Sequence, residues 1–414
     1  MKKKLLAFAV AAALLAPQAV GAEGFAIYEW SAEGLAMGGA RMFAENDAAN
    51  MAYNPASITK VKGEAAKISA TYLSPHGKYD AYQGENIVES GHNRVHPAWA
   101  PGMYYVKQMN DKEWIGMGTW SRFGMVSQFE RNSIAGSNAV SSKLNGVSLG
   151  INYARKMDKK VTASLGAEVN YVGLQLDKNL YATTQMASPM HIEGESYALG
   201  WNAAANYEFD DKNEIGVVYR SKITHSMEAD YDMHGGLVAV ATKGMLSDIY
   251  GDAYGVVTLP ESIDVGYSHK FDDKTRIEAR YTWTRWERYD ALNMYFSSFP
   301  FASESAKNWS NGQRFAIGLE HKFSDKYSGL MGIAHDKASI PYDGGDFMIP
   351  TGTRNTYGLG AQYHDKKQTL ALSMAWMKVG SLDFAGGHTG ELFTSAHTRD
   401  SYTKIASISY QRNF

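Results

Sequence analysis

The chain has 414 residues, with 41 Lys and Arg against 43 Asp and Glu, so its near-neutral charge predicts no polyanion surface and nucleic acid is not an expected partner. Cysteine is absent, which excludes disulfides, thiolate metal ligands and thiol nucleophiles. The 26 Tyr, 9 Trp and 40 Gly favour many strands with aromatic residues at two membrane interfaces.

The first 22 residues have the features of a secretory signal peptide. Lys2–Lys4 precede an apolar run over Leu5–Ala16, and the small residues at 20–22 fit a cleavage site. This run is shorter than the about 20 residues of a membrane-spanning helix, and no later segment approaches that length. We therefore expect residues 1–22 to be removed, and the mature protein to begin near Glu23 without a transmembrane helix.

The next segment, residues 24–56, shows no strand alternation and so is expected to lie outside the main sheet. Near its end, Asn54 fits a helix N-cap and Pro55 fits the first helical position. A short helical turn is therefore predicted to begin there and to include Ala56.

From about residue 63 onward, apolar and polar residues alternate with the period of β-strands, as in residues 161–171. The polar rows carry charges in mid-strand, such as Arg276, Glu278 and Arg280. A soluble sandwich would turn these charges outward to water, whereas a membrane barrel turns its apolar row to lipid and its charges to a wet lumen. Alternation alone does not separate these folds, but the export signal and the end of the chain favour the barrel.

About fourteen such segments can be counted, and a closed antiparallel barrel of a bacterial single chain requires an even number. Short links, which fit the periplasmic side, alternate with longer links, which fit the extracellular side. The segments begin near residues 64, 95, 113, 145, 160, 195, 213, 254, 274, 312, 326, 352, 367 and 399. The longer links fall near residues 175–194, 231–252, 291–311, 339–351 and 384–397.

The last segment ends in Phe414, with Tyr410, Ile408 and Tyr402 on the same face. A terminal Phe after apolar residues spaced by two resembles the signal by which outer-membrane barrels are recognised for assembly, although Arg412 occupies the third position from the end. We therefore expect the barrel assembly machinery as a partner through Phe414. The expected location is the bacterial outer membrane, in contact with its lipid and lipopolysaccharide.

Several short motifs are informative because of their spacing along the chain. They are Gly24–Phe25, Ser31–Leu35, Asp47–Asn50, Asn54–Ala56, Leu259–Glu261, Trp283–Trp286, Ile349–Pro350 and Gly358–Gly360. Together they resemble the FadL-type (FadL/OmpP1/TodX) outer-membrane transporters of long-chain fatty acids and other hydrophobic compounds. The resemblance covers most of the chain and is strongest in the segment 24–56, which matches that family's N-terminal hatch.

The resemblance implies an all-β fold, a transmembrane antiparallel β-barrel of about 14 strands over residues 63–414, plugged by a hatch over residues 23–62. It implies passive transport of hydrophobic molecules without a cofactor, with release through an inward kink of the third strand. Phe123 and Gly124 match the kink, and a strand glycine favours a bend. Lateral release spares an apolar ligand the cost of water contact, roughly 25 cal/mol per Å². The kink and the Asn54–Ala56 turn are thus the predicted gate.

Three apolar residues at the mature N-terminus, Phe25, Ile27 and Trp30, are predicted to bind ligand, because a hatch of this family borders the lumen pocket. Packing of the hatch against the wall is the alternative interpretation of these side chains.

For fatty acids, the resemblance also implies basic residues that hold the carboxylate. Lys178 matches one of the two positions, whereas Ser305 occupies the other and Lys307 follows two residues later. The loop after Lys178 is shorter than the family's substrate-gathering loop. Fatty acids and uncharged apolar compounds therefore both remain candidate substrates.

Other classes of outer-membrane barrel were weighed on specific residues. A lipid-modifying enzyme needs an activated nucleophile, but the G-x-S-x-G match at Gly146–Gly150 alternates as a strand rather than forming a strand–turn–helix elbow. His92 and His96 lie in a loop-like stretch, so no metal site is expected there. A general porin or adhesin-like barrel would lack an N-terminal plug, so residues 24–60 argue against it. Catalysis is not expected.

Overall fold

The computed structural model describes residues 24–289, 291, 293–297, 302–303, 306–388 and 390–414. The predicted signal peptide and Ser305 lie outside the described residues. Within the described part of the chain, no helix has the length and hydrophobicity needed to cross a membrane.

Fourteen wall strands form one closed antiparallel barrel, in which the last strand pairs with the first. They are β1 Glu64–Gln83, β2 Ala98–Gln108, β3 Glu113–Trp120 with Gly124–Gln128, β4 Ser141–Lys156, β5 Val161–Leu180, β6 Ser188–Glu208, β7 Asn213–Arg220 with Ile223–His234, β8 Asp248–Leu259 with Ser262–Lys270, β9 Thr275–Thr284, β10 Gly312–Lys322, β11 Tyr327–Lys337, β12 Arg354–His364, β13 Gln368–Val379 and β14 Ser395–Asn413. Short strands extend the extracellular hairpins at Asn86–His92, Met294–Phe296, Ala302–Ser303 and Leu382–Ala385. The predicted fourteen-stranded barrel is confirmed.

The two faces of the wall have the polarity of a membrane barrel. In β5, Leu165 and Val169 are exposed on the outer face, at 63% and 43%, whereas Ser164 and Asn170 are buried on the inner face. This arrangement places apolar side chains toward lipid and polar side chains toward the lumen, as the alternation predicted.

The strands extend farther on the extracellular side than the sequence pattern predicted. β5 and β6 remain paired up to Leu180 and Ser188, inside the link predicted at residues 175–194. There the outward row includes Glu193 and Glu195, both exposed. Above the lipid an outward side chain need not be apolar, so the hydrophobic alternation ends although the backbone ladder continues.

The chain from Gly24 to Lys62 forms the hatch, which lies inside the barrel and is almost entirely buried. Its helices are α1 Ala32–Ala36, α2 Asn50–Tyr53 and a 3-10 helix at Pro55–Lys60. The side chain of Asn54 accepts a hydrogen bond from the Ala56 amide at 3.2 Å, so the predicted helical turn is confirmed, as a 3-10 helix. A further short helix, α3 Gly236–Ala241, lies in the β7–β8 link.

Candidate functional site

Buried ion pairs hold the middle of the hatch to the wall. The Lys67 ammonium of β1 lies 2.8 Å from carboxylate oxygens of both Glu33 and Asp47. Arg41 bridges Asp47 at 3.1 Å and Glu320 of β10 at 3.2 Å. Removing one partner of such a buried pair typically costs about 3–5 kcal/mol, because it leaves an uncompensated charge. These pairs therefore resist displacement of the hatch core.

Charged wall residues also bind the hatch main chain directly. One carboxylate oxygen of Glu278 accepts the amide hydrogens of Met42 and Phe43, at 2.5 and 3.0 Å. Arg276 donates to the Phe43 carbonyl and lies 3.1 Å from the Glu278 carboxylate. The prediction that these charges face a wet lumen was wrong at this level of the barrel, because the hatch occupies that space and supplies their partners.

The predicted gate residues of the 3-10 turn are fully enclosed by the wall. The Asn54 amide donates to Asn206 of β6 at 2.8 Å, and Asn206 in turn donates to Ser57 at 2.9 Å. Pro55 is buried, and Ala56 is 0% exposed, in contact with an apolar cluster that includes Val218 of β7. The turn is thus joined to β6 and β7, and its predicted role in gating stays a prediction.

The third wall strand is interrupted where the kink was predicted, and the first hatch residues occupy the gap. The Ile27 amide donates to the Arg122 carbonyl at 2.9 Å, and the Gly124 amide donates to the Phe25 carbonyl at 2.9 Å. β3 is discontinuous between Trp120 and Gly124. Opening the wall at this point therefore requires the N-terminal segment to move.

Phe25 is enclosed by four aromatic rings, which we call the aromatic cage. Its ring centroid lies 4.8 Å from Trp286, 5.2 Å from Tyr289, 6.0 Å from Phe123 and 6.2 Å from Trp309. Phe25 itself is 0% exposed. Phe25 therefore packs the hatch against the wall, as the alternative interpretation of this residue had it, and its role in ligand binding stays a prediction.

The other two predicted N-terminal ligand residues lie deeper. Ile27 and Trp30 line a cavity of about 20 Å³, room for about one water molecule. The Trp30 indole donates to the Ser121 carbonyl at 2.5 Å, and its ring centroid lies 5.0 Å from that of Tyr53. Neither side chain faces an open pocket while the hatch is closed.

Aromatic side chains also fill the extracellular half of the lumen. The Phe347 ring lies between 4.9 and 5.4 Å from the rings of Tyr79, Phe384, Phe129 and Phe393. These rings come from β1, from the strand Leu382–Ala385 and from links between strands. In this region the space enclosed by the wall is filled by a buried cluster of aromatic side chains, and we call this region the apolar chamber.

The two predicted carboxylate-binding lysines meet at this chamber. Lys307 is 1% exposed and pairs with Asp346, which also accepts the Ile349 amide at 3.0 Å. Lys178, at the end of β5, lies within electrostatic range of Lys307, Asp346 and Glu391. Within the described ranges, its ammonium has no ion-pair or hydrogen-bond partner. Burial lowers the pKa of Lys178, because the nearby carboxylates do not fully compensate for the loss of water around its ammonium.

The G-x-S-x-G match lies within β4, as its alternation predicted. Ser148 accepts a hydrogen bond from the Asn170 amide at 2.9 Å, and the Asn170 oxygen contacts His225 at 3.0 Å. The imidazole therefore contacts an amide rather than the hydroxyl, and no base among the described residues is hydrogen-bonded to Ser148 to activate it. Among the residues that the structure describes, no cluster of three or more carboxylate, imidazole or thiol groups is arranged to hold a metal.

The sequence pattern did not indicate the aromatic cage or the arginines beside Trp30. Trp286 and Trp309 lie near the two ends of the β9–β10 link. Trp286 belongs to the Trp283–Trp286 motif, but nothing in the sequence indicated that it contacts Phe25. Arg122 lies next to the predicted kink, but nothing in the pattern showed that Arg220 and Arg280 face it from β7 and β9.

Comparison with known proteins places the chain in a family. The family model described as "Outer membrane protein transport protein (OMPP1/FadL/TodX)" matches residues 12–414. Outer membrane protein P1 of Haemophilus influenzae is 25% identical over 457 residues, covering 98% of this chain and 97% of that protein. The long-chain fatty acid transport protein of Escherichia coli K12 is 24% identical, covering 90% of this chain and 91% of that protein.

Solved structures show the same fold at lower identity. A Pseudomonas aeruginosa FadL homologue superposes with a TM-score of 0.83 at 18% identity, covering 94% of this chain and 100% of that chain. The toluene transporter TodX of P. putida superposes with a TM-score of 0.71 at 15% identity, covering 94% and 99%. The chain therefore belongs to the OMPP1/FadL/TodX family of outer-membrane transport proteins.

Proposed function

We propose that this protein carries hydrophobic molecules passively across the outer membrane, and that long-chain fatty acids are its main ligand class. The observation that carries this proposal is the apolar chamber above the hatch with Lys178 at its edge, a cation without a paired carboxylate among the described residues. A porin lumen is open and wet, whereas this lumen is filled by rings and closed by the hatch.

Lys178 and Lys307 give the chamber the chemistry of a fatty acid site. A ligand carboxylate at Lys178 would form a charge-assisted hydrogen bond, which is stronger than a neutral one. Lys307 adds positive charge nearby, although Asp346 already neutralises it. The acyl chain would lie against the rings around Phe347, where its burial contributes roughly 25 cal/mol per Å².

The exit we propose is sideways, through the interruption of β3. The segment 24–30 fills this interruption, and Phe25 occupies the aromatic cage behind it. A ligand that displaces Phe25 would take its place in the aromatic cage and would move the segment 24–30 out of the β3 gap. The hatch core around Asn54 stays attached to the wall. An apolar molecule that leaves through the wall enters lipid directly and avoids periplasmic water.

An uncharged aromatic hydrocarbon is the second candidate ligand. The cage presents four ring faces and edges around the Phe25 side chain, which is itself a substituted benzene. A toluene-sized molecule would reproduce those contacts without needing Lys178. The family includes a protein described as a toluene transporter.

We propose no catalytic activity, since Ser148 lacks a base and the relatives named above are transport proteins. The outward apolar belt and the terminal Phe414 fit outer-membrane lipid, lipopolysaccharide and the barrel assembly machinery as partners.

The test is a binding titration with purified protein, using palmitate and toluene as probes. Lys178→Met keeps an apolar side chain of similar length, so it should weaken palmitate binding by about tenfold or more and leave toluene binding unchanged. Lys143→Met is the matched control, because Lys143 donates to Gln175 on the neighbouring strand and lies outside the chamber. Equal palmitate affinity in wild type and Lys178→Met would contradict the fatty acid site, and binding of toluene alone would favour the second candidate.

A further inference from the structure

Three arginines of the wall converge beneath the N-terminal segment of the hatch. Arg122 lies in the β3 gap, Arg220 ends the first part of β7, and Arg280 belongs to β9. All three are buried and line the cavity of about 20 Å³ that Trp30 covers. Guanidinium groups offer planar, paired donors that match a carboxylate.

At this place the wall has fewer carboxylates than arginines. Asp264 pairs with Arg220 at 2.5 Å and with Arg280 at 2.8 Å. Glu168 pairs with Arg122 at 2.8 Å. Three guanidinium groups therefore share two wall carboxylates, so this part of the wall carries one excess positive charge.

Hatch residues cover this charge in the closed barrel. Arg220 lies 5.6 Å from the Trp30 ring centroid, and Arg280 lies 5.4 and 5.8 Å from those of Tyr28 and Trp30. A ring face attracts a cation within about 6 Å. Glu29, which lies between these two aromatic residues in the sequence, is also buried. The rings and Glu29 would leave together if the segment moved, while the arginines belong to the wall.

We infer that Arg122, Arg220 and Arg280 form a second carboxylate-binding site, which Tyr28 and Trp30 cover in the closed barrel. This inference rests on the proposed function, because it requires a fatty acid that displaces the segment 24–30. The carboxylate moves from the chamber near Lys178 to the arginines while the acyl chain passes through the β3 gap. Arg122 lies in that gap, so the charged end of the ligand remains paired while the chain enters lipid.

The arginines differ in how cleanly they can be tested. Arg220 and Arg280 also donate to hatch carbonyls, those of Tyr53 at 3.2 Å and Gly39 at 2.9 Å, so replacing them would loosen the hatch itself. The Arg122 side chain donates instead to Glu168 and to wall carbonyls. Removing Arg122 alone would leave Glu168 as a buried unpaired charge.

The test therefore compares the single variant Glu168→Gln with the double variant Arg122→Gln/Glu168→Gln. The two proteins differ only in the guanidinium group of Arg122. Initial uptake of oleate and of oleyl alcohol is measured in bacterial cells that lack their own fatty acid transporter. The double variant should take up oleate about tenfold or more slowly than Glu168→Gln, as expected for a lost hydrogen bond to a charged group. Oleyl alcohol uptake and the amount of folded barrel should be the same in both variants.

Two results would overturn the second site. The first is equal oleate uptake by both variants. The second is an equal slowing of oleate and oleyl alcohol in the double variant, which would assign Arg122 a purely structural role. Failure of the proposed function has a different signature: the wild-type protein itself would take up neither compound, or Lys178→Met would bind palmitate normally.

Discussion

Replacing Phe25 with Ala should release the N-terminal segment of the hatch while the barrel stays folded. Phe25 is 0% exposed and contacts four rings of the cage. Truncating a buried Phe to Ala typically costs about 3–5 kcal/mol. These contacts join the N-terminal segment to the wall and do not join one wall strand to another. The lost free energy therefore weakens closure of the segment rather than the stability of the whole barrel. At about 1.4 kcal/mol per tenfold, the open fraction should rise by about two to three and a half orders of magnitude.

Hydrogen exchange of the protein in detergent measures this opening directly. The amides of Ile27 and Gly124 close the β3 gap, so both should exchange faster in Phe25→Ala by about the same factor. The Leu35 amide, bonded to the Ser31 carbonyl inside α1, should keep its protection. The control removes an equivalent ring from the lipid-facing side, at Phe315, which is 54% exposed.

Two results would refute this reasoning. Unchanged exchange at Ile27 and Gly124 would mean that the cage does not hold the segment. Equal loss of protection at Leu35 would mean that the hatch opens as one unit, with no separate N-terminal part.

Three further predictions concern the hatch as a whole. Deleting residues 24–56 should leave a folded barrel with raised ion conductance in planar bilayers, and a conductance that stays near zero would argue against a plug. Glu278→Gln, which weakens two charge-assisted bonds to the hatch main chain, should cost about 1–3 kcal/mol of hatch protection in hydrogen exchange, with the wall strands as internal control. Partial burial alone would raise the pKa of Glu45, whose side chain is 51% exposed, but Lys60 and Lys270 lower it to about 2. Its contribution should therefore be complete above about pH 4.5, the ordinary value, and be lost as the pH falls toward 2, which proteolysis of the hatch against pH would show.

The sequence predicted the wall well because a membrane barrel imposes one simple rule on it. Every strand must turn apolar side chains to lipid, so residues such as Leu165 and Val169 alternate with polar ones regardless of what lies inside. The rule ends at the lipid boundary. The extracellular continuation of β5 to Leu180 was therefore not predicted, because backbone pairing there is not accompanied by hydrophobic alternation in the sequence.

The interior followed no comparable rule. Glu278 was recognised as a lumen-facing charge, but its partners Met42 and Phe43 lie more than two hundred residues away, with intervals of 236 and 235. No local pattern distinguishes a charge that meets water from one that meets the hatch. Lys178 and Lys307 were placed by family resemblance, and only the fold brings them to one chamber.

The hatch is attached to the wall by two different kinds of contact, and this difference decides which part of it can yield to a ligand. Its core, from Glu33 to Lys60, is bound through buried charges such as Asp47, and no hydrophobic molecule can replace those partners. The first residues are held by ring contacts around Phe25, by two main-chain bonds across the β3 gap and by hydrogen bonds of Trp30, whose indole donates to the Ser121 carbonyl. Ring contacts are non-directional, so an acyl chain or an aromatic molecule can substitute for Phe25 without leaving a buried polar group unpaired. We therefore expect a hydrophobic ligand to compete first with the Phe25 side chain, beside the interruption of β3.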